Sequence, residues 1–189
     1  MSLLLLAGAL PLTLFLGDST RAPALPRMPA TSIAGAPTPA PAPRGRSALV
    51  ADSVVVEKGA HTLTLYRGGE PLRRYHVALG KNPVGDKVRL GDGRTPEGVF
   101  RIEMHNAESR FHLALRISYP DAAHRARAAA LGVSPGGSIM IHGLPARYAQ
   151  VGAAHRLYDW TEGCVAVTNA EIEEIWDAVP DGTPIEIKP

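Results

Sequence analysis

The residue of this chain best suited to nucleophilic chemistry is its single cysteine. Cys164 directly follows Gly163, so no bulky neighbour stands in front of the sulfur. A histidine that reaches the thiol could take its proton, and that pairing is the usual form of a cysteine nucleophile with its base. The competing interpretation is a small buried hydrophobic residue, which is the commoner role of a free cysteine.

His142 is the most promising base among seven histidines. It ends the apolar run Ile139–Ile141 and precedes Gly143, whereas His155 is nearer to Cys164 in sequence but lies in a polar stretch. A base held on a rigid element is the better candidate, which favours His142. Only proximity in space decides the matter, so the others stay open: His61, His76, His105, His112, His124 and His155.

The backbone around the cysteine offers two further contributions. The N–H groups of Gly163 and Cys164 could face a developing oxyanion. A helix is predicted to begin a few residues later, behind the Thr168-Asn169-Ala170-Glu171 capping box. Its dipole would favour a thiolate at Cys164.

Composition excludes several classes of function. The chain has 189 residues, of which 45% are hydrophobic and 20% charged, so it can bury a core. Its net charge of +2 includes four arginines and one aspartate within residues 1–46. The remainder is near neutral and has no basic surface for nucleic acid. Neither HExxH nor paired CxxC motifs occur, so no metal site is expected, and chemistry by a cysteine–histidine pair needs no cofactor.

Three segments follow one another along the chain. Residues 1–21 contain a short apolar run that is typical of a signal peptide or membrane anchor. Residues 22–46 form a Pro/Ala-rich linker, with seven prolines and seven alanines in 22–43. Residues 47–189 are predicted to form the folded domain, which contains the candidate catalytic residues. This order predicts an exported protein of the periplasm or cell envelope that touches a membrane only through its N-terminal segment.

Alternating runs predict a mostly β domain. Asp52–Glu57 reads as a strand, and two further runs separated by Gly68-Gly69 predict a hairpin. Short helices are predicted over Asp121–Leu131 and Glu171–Val179. Five more strands are expected at Gly98–Met104, Phe111–Ser118, Ser138–Ile141, Cys164–Val167 and Thr183–Lys188.

Together these features resemble the YkuD-type L,D-transpeptidase catalytic domain. The family signature is a His-Gly pair followed by Ser/Thr-x-Gly-Cys, and here His142-Gly143 and Thr161–Cys164 supply both. The resemblance covers about Ser53 to Lys188. It implies a β-sandwich or barrel-like fold of mixed sheets with two or three short helices. It also implies a peptidoglycan substrate, with Cys164 as nucleophile and His142 as base.

The resemblance further implies a transfer reaction. The thiol would attack the bond between diaminopimelate and the terminal D-alanine of a stem peptide, and a second stem or an envelope protein would then accept the acyl group. Gly143, having no side chain, could orient the histidine only through its carbonyl. Among the residues before the cysteine, Asp159 and Glu162 could each meet a substrate ammonium or be a solvated loop carboxylate. Trp160 could wall the site or pack on the sheet, and Thr161 of the signature is a further candidate for substrate contact.

Two positions depart from the family pattern. Glu162 stands where the family commonly has histidine, and Ala166 where it commonly has an arginine suited to a substrate carboxylate. The alternatives to transpeptidation are hydrolysis of the same thioester, as in a carboxypeptidase or amidase of peptidoglycan stems, and a wall-binding module whose site has decayed.

Overall fold

Eight strands form one curled sheet in the computed structural model, which describes residues 49–189. The predicted leader 1–21 and linker 22–46 lie outside the described residues. The order across the sheet is β3-β2-β1-β8-β4-β5-β6-β7. The strands are β1 Ser53–Glu57, β2 Thr62–Arg67, β3 Glu70–His76, β4 Gly98–Asn106, β5 Ala114–Ile117, β6 Met140–His142, β7 Val165–Ala166 and β8 Pro184–Lys188.

The sheet is mixed and curls back on itself. The pairs β1–β8 and β6–β7 are parallel, and the other neighbours are antiparallel. The chain that continues from β3 meets the far edge of the sheet, because Ala78 bridges Ala166 and Gly80 bridges Thr161. The mostly β, barrel-like architecture with mixed strands is therefore confirmed.

Local sequence signals determine several of these elements. Gly68 and Gly69 form the predicted turn with φ of 58° and 83°, which only glycine adopts without cost. In β1 and β8 alternate residues are buried, so Val54, Val56 and Ile185 face the core. This alternation is the period-2 pattern of a strand with one buried face.

Three helical segments complete the described fold. Helix α1 spans Ala122–Ala130, and α2 spans Asn169–Ala178 behind the predicted capping box. A 3-10 segment, Ala146–Leu157, was not predicted; it is broken at Gly152, which adopts φ of 53°. In residues 49–189 no helix combines the length and apolarity that crossing a bilayer requires.

Helix α2 packs its apolar stripe on the sheet, so truncating that stripe should destabilise the domain. Ile175 is fully buried, and Ile175→Ala should cost about 2–5 kcal/mol in free energy of unfolding, measured by urea denaturation. The control is Val99→Ala on β4, where the side chain is 67% exposed and the cost should stay below about 1 kcal/mol. Equal losses would mean that α2 does not pack as described.

Candidate active site

Two adjacent parallel strands bring the predicted nucleophile and base to the same face of the sheet. In β6 and β7, Ile141 pairs with Val165 and His142 pairs with Ala166. Paired residues of parallel strands point the same way, and side chains alternate along each strand. Cys164 immediately precedes β7, two residues before Ala166, so continuation of this alternation would set it on the same face as His142. The buried Ile141 and Val165 point into the core.

The thiol of Cys164 lies against the backbone that leads into β6. Cys164 is partly exposed, and its Sγ is 3.7 Å from the carbonyl oxygen of Ser138. Ser138 has φ of 55°, an uncommon backbone conformation for a residue with a side chain. Burial raises the pKa of the thiol, and this effect outweighs the opposing influences of the Met140 N–H and the Lys87 charge.

The raised pKa of Cys164 corrects the expectation that the dipole of α2 stabilises a thiolate at this position. The N-terminal N–H groups of the helix serve its own capping box. Thr168 accepts from the Glu171 N–H, while the Glu171 carboxylate accepts from the Thr168 N–H. The thiol is therefore protonated at neutral pH, and attack on a carbonyl requires a base.

The ring of His142 is buried and held by one backbone contact. Its Nδ1 lies 2.7 Å from the carbonyl oxygen of Gly143. A carbonyl only accepts, so Nδ1 carries the proton and Nε2 keeps its lone pair. Burial lowers the pKa of His142 to about 4, and the charges of His155 and Arg110 act in the same direction. At neutral pH the ring is uncharged, with Nε2 able to accept a proton.

Close packing explains the glycine beside each of these residues. A Cβ at Gly143 would lie 2.6 Å from Asn169 Oδ1 and 2.9 Å from Ile172 Cγ2 at the start of α2. Gly163 has φ of 130°, and a Cβ there would lie 2.5 Å from the carbonyl oxygen of Arg94. Neither position accepts a side chain without displacement of its neighbours.

Thr161 organises the turn that ends at the cysteine. It is buried; its hydroxyl donates to the Cys164 carbonyl at 2.7 Å and accepts from the Gly163 N–H at 3.1 Å. Two expectations are corrected as a result. The Thr161 hydroxyl is not available to substrate, and the Gly163 N–H is not free for an oxyanion. The Cys164 N–H stays the predicted donor.

Asp159 and Glu162 also bind within the protein. Asp159 accepts from the Leu79 N–H at 2.7 Å and lies 3.0 Å from His61 Nε2. It therefore ties the cysteine turn to the chain after β3. Glu162 is exposed and forms a salt bridge with Lys81 at 2.6 Å. The expected contact of either carboxylate with a substrate ammonium has no support in this arrangement.

Trp160 forms a wall of an aromatic cavity beside His142. Its ring centroid is 5.8 Å from that of His142, and the Phe111 centroid is 4.4 Å from the same imidazole. The aromatic cavity has a volume of about 390 Å³, within the usual range of small-ligand sites. Its lining residues are Phe111, Leu144, Pro145, Arg147, Tyr148, Val151, His155, Tyr158 and Trp160.

A second cavity, of about 700 Å³, lies on the Glu162 side of the cysteine turn and includes Lys81, Arg89 and Arg94. We call it the basic cavity. Asp92 in its wall accepts from Lys87 Nζ at 2.7 Å and from three backbone N–H groups. The loop that carries Arg94 against Gly163 is therefore fixed by side-chain and backbone bonds.

Residues 51–187 match the family model described as the L,D-transpeptidase catalytic domain, YkuD. The chain belongs to the L,D-transpeptidase family. This confirms the resemblance seen in the sequence. Among the described residues, no group of three or more His, Cys, Asp or Glu side chains could hold a metal ion.

Individual relatives agree with this assignment. YafK of Escherichia coli K12, whose name places it among the L,D-transpeptidases, is 30% identical over 133 residues, covering 67% of this chain and 46% of YafK. The structure of the helical cell shape determining protein Pgp2 of Campylobacter jejuni has a TM-score of 0.57 at 25% identity, covering 74% of this chain and 47% of Pgp2.

Bd1075 of Bdellovibrio bacteriovorus has a TM-score of 0.51 at 22% identity, covering 74% of this chain and 48% of Bd1075. At that identity the likeness concerns the fold alone. The chain thus spans about half the length of these relatives.

Several residues at this candidate site are not predicted from the sequence. His155 was placed in a polar loop but is buried, with Nδ1 3.5 Å from the Trp160 indole nitrogen. Phe111 is predicted to lie in a strand, but it precedes β5, and its ring packs against that of His142. Asn169 accepts from the Leu144 N–H at 2.6 Å. The Phe111 and Asn169 contacts join segments far apart in sequence, and the burial of His155 depends on the tertiary fold, so none of the three has a local signal.

The raised pKa of Cys164 makes a direct prediction about labelling. The rate of reaction with iodoacetamide should have its pH midpoint above that of the urea-unfolded chain, because only the thiolate reacts. The unfolded chain is a matched control, since it contains the same single thiol. A midpoint below the unfolded value would show instead that the fold stabilises the thiolate.

Thr161 should matter as a positioning residue. Thr161→Val keeps the shape but removes both hydrogen bonds, and it should cost about 1–3 kcal/mol in unfolding free energy. The substitution should also slow acylation of Cys164 by a carbapenem, measured as the rate at which the adduct appears in intact-mass spectra. Thr161→Ser retains the hydroxyl and should keep most of the stability and rate. If Val and Ser behave alike, the hydroxyl does not hold the turn.

Proposed function

We propose that this chain is a cysteine-dependent L,D-transpeptidase that forms 3-3 crosslinks between peptidoglycan stem peptides. The observation that supports the proposal is the parallel pairing of β6 with β7, in which His142 pairs with Ala166 and Cys164 immediately precedes β7. The bond from His142 Nδ1 to the Gly143 carbonyl supports the same reading, because it leaves Nε2 as the base.

In the first half-reaction both groups begin neutral. Cys164 Sγ attacks the carbonyl that joins the L-centre of diaminopimelate to the terminal D-alanine, while His142 Nε2 takes the thiol proton. The Cys164 N–H donates to the oxyanion. The carbon–nitrogen bond then breaks, Nε2 returns the proton to the leaving amine, and D-alanine departs. A thioester on Cys164 remains.

The second half-reaction reverses these roles. The amine of a second stem attacks the thioester carbonyl, and His142 Nε2 removes a proton from that amine. When the carbon–sulfur bond breaks, the proton passes to the sulfur and the neutral pair is restored. Water in place of the amine would give hydrolysis, so the choice between the two reactions depends on which nucleophile reaches the thioester.

The setting of this reaction follows from the family, which generally acts in the cell envelope. We infer export through residues 1–21 as signal peptide or anchor, with 22–46 as the tether and 47–189 as the catalytic domain. Stem peptides are the inferred partners, and an envelope protein is the alternative acceptor. The likeness to Pgp2 supports a role in cell shape.

Purified tetrapeptide muropeptides test the proposal. The protein should release D-alanine and yield a crosslinked dimer, detected by mass spectrometry. Cys164→Ala should abolish both products, and His142→Gln should slow them by about 10²–10⁴-fold. Exposure to a carbapenem should add one adduct, on Cys164. Tripeptide without dimer would identify a hydrolase, and no product or adduct would identify a binding module.

A further inference from the structure

Two guanidinium groups adjoin the aromatic cavity beside His142, and no carboxylate lines it. Arg147 is part of the lining and lies over the Tyr148 ring at 4.8 Å. Arg110 lies over the Phe111 ring at 5.1 Å. Within residues 49–189 neither arginine forms a salt bridge. The cavity therefore combines apolar walls with uncompensated positive charge.

Such a cavity matches a ligand that has a hydrocarbon body and a carboxylate. Phe111 and Trp160 offer apolar faces, while the planar fork of an arginine binds a carboxylate through two parallel hydrogen bonds. Arg147 is exposed, as is Tyr148 beside it at 49%. The cation is thus reachable from solvent without a rearrangement of the core.

The position of His142 indicates which part of a substrate would enter. The group that protonates a leaving amine must lie within hydrogen-bonding reach of it. The imidazole of His142 contacts Phe111 and Trp160, both of which line the aromatic cavity. In the proposed reaction the leaving residue therefore occupies the aromatic cavity, and its own carboxylate extends away from the scissile bond.

The other nearby positions are less suited to that carboxylate. Ala166, on the same face as Cys164, ends in a fully buried methyl group. In the basic cavity, Lys81 is paired with Glu162, and Arg94 Nη1 donates to the Asp86 carbonyl at 3.2 Å. Arg89 is the remaining cation there, and it does not line the aromatic cavity.

We propose that Arg147 binds the C-terminal carboxylate of the leaving residue and so selects stem peptides whose last residue has a free carboxylate. The inference rests on the proposed function, since it assigns one substrate group to one residue of that site. Arg110 adds positive charge at the same cavity. Arg147 is accordingly a specificity-determining residue, and its contribution should vanish when the carboxylate is absent.

A pair of substrates isolates this contribution. Release of the terminal residue is measured from tetrapeptide stems that end in D-alanine or in D-alanine amide. The unaltered protein should have a kcat/KM about 10- to 100-fold higher for the acid, as expected for a hydrogen bond to a charged group. Arg147→Gln should lower kcat/KM for the acid by most of that factor, and it should change kcat/KM for the amide little.

Two variants serve as controls. Arg147→Lys keeps the charge without the fork and should preserve part of the preference for the acid. Arg89→Gln removes an arginine from the basic cavity and should leave the acid-to-amide ratio unchanged. The proposal is overturned if Arg147→Gln retains the ratio of the unaltered protein, or if Arg89→Gln abolishes it. If the unaltered protein releases no residue from either stem, the proposed function fails and this inference fails with it.

Discussion

The parallel pairing of β6 with β7 is the constraint on which the site depends. It is short, since β7 has only two residues, yet it fixes the register that sets Cys164 two residues before the partner of His142. A shift by one residue would turn one of the two side chains to the opposite face. The bridge between Ala78 and Ala166 on the other edge of β7 restricts such a shift.

Burial controls the chemistry of the pair that this register creates. It disfavours the charged form of each group, raising the pKa of Cys164 and lowering the pKa of His142. Both groups rest in their neutral forms, and charge develops only when a carbonyl is present to receive the sulfur. A thiol with a raised pKa also resists oxidation, because the thiolate is the form that oxidants attack. That property suits a lone cysteine in the oxidising envelope where we infer the protein acts.

The parts of the fold that sequence could predict were those with local causes. The Gly68-Gly69 turn and the capping box at Thr168 each depend on residues within a few positions of one another. The 3-10 segment Ala146–Leu157 escaped prediction because it has no 3.6-residue apolar period and is interrupted at Gly152. The Cys164 and His142 motifs could be found, but their neutral charge states could not, since burial depends on chain segments distant in sequence.

The turn before the cysteine shows why the substrate contacts were hardest to predict. Thr161, Asp159 and Glu162 have side chains that look suited to a polar ligand, but each has a partner within the protein. Those bonds hold the turn rigid, and a rigid nucleophile is worth more to catalysis than additional flexible contacts. In our proposal, recognition falls to the apolar face of Trp160 and to Arg147, which forms no salt bridge within the described residues.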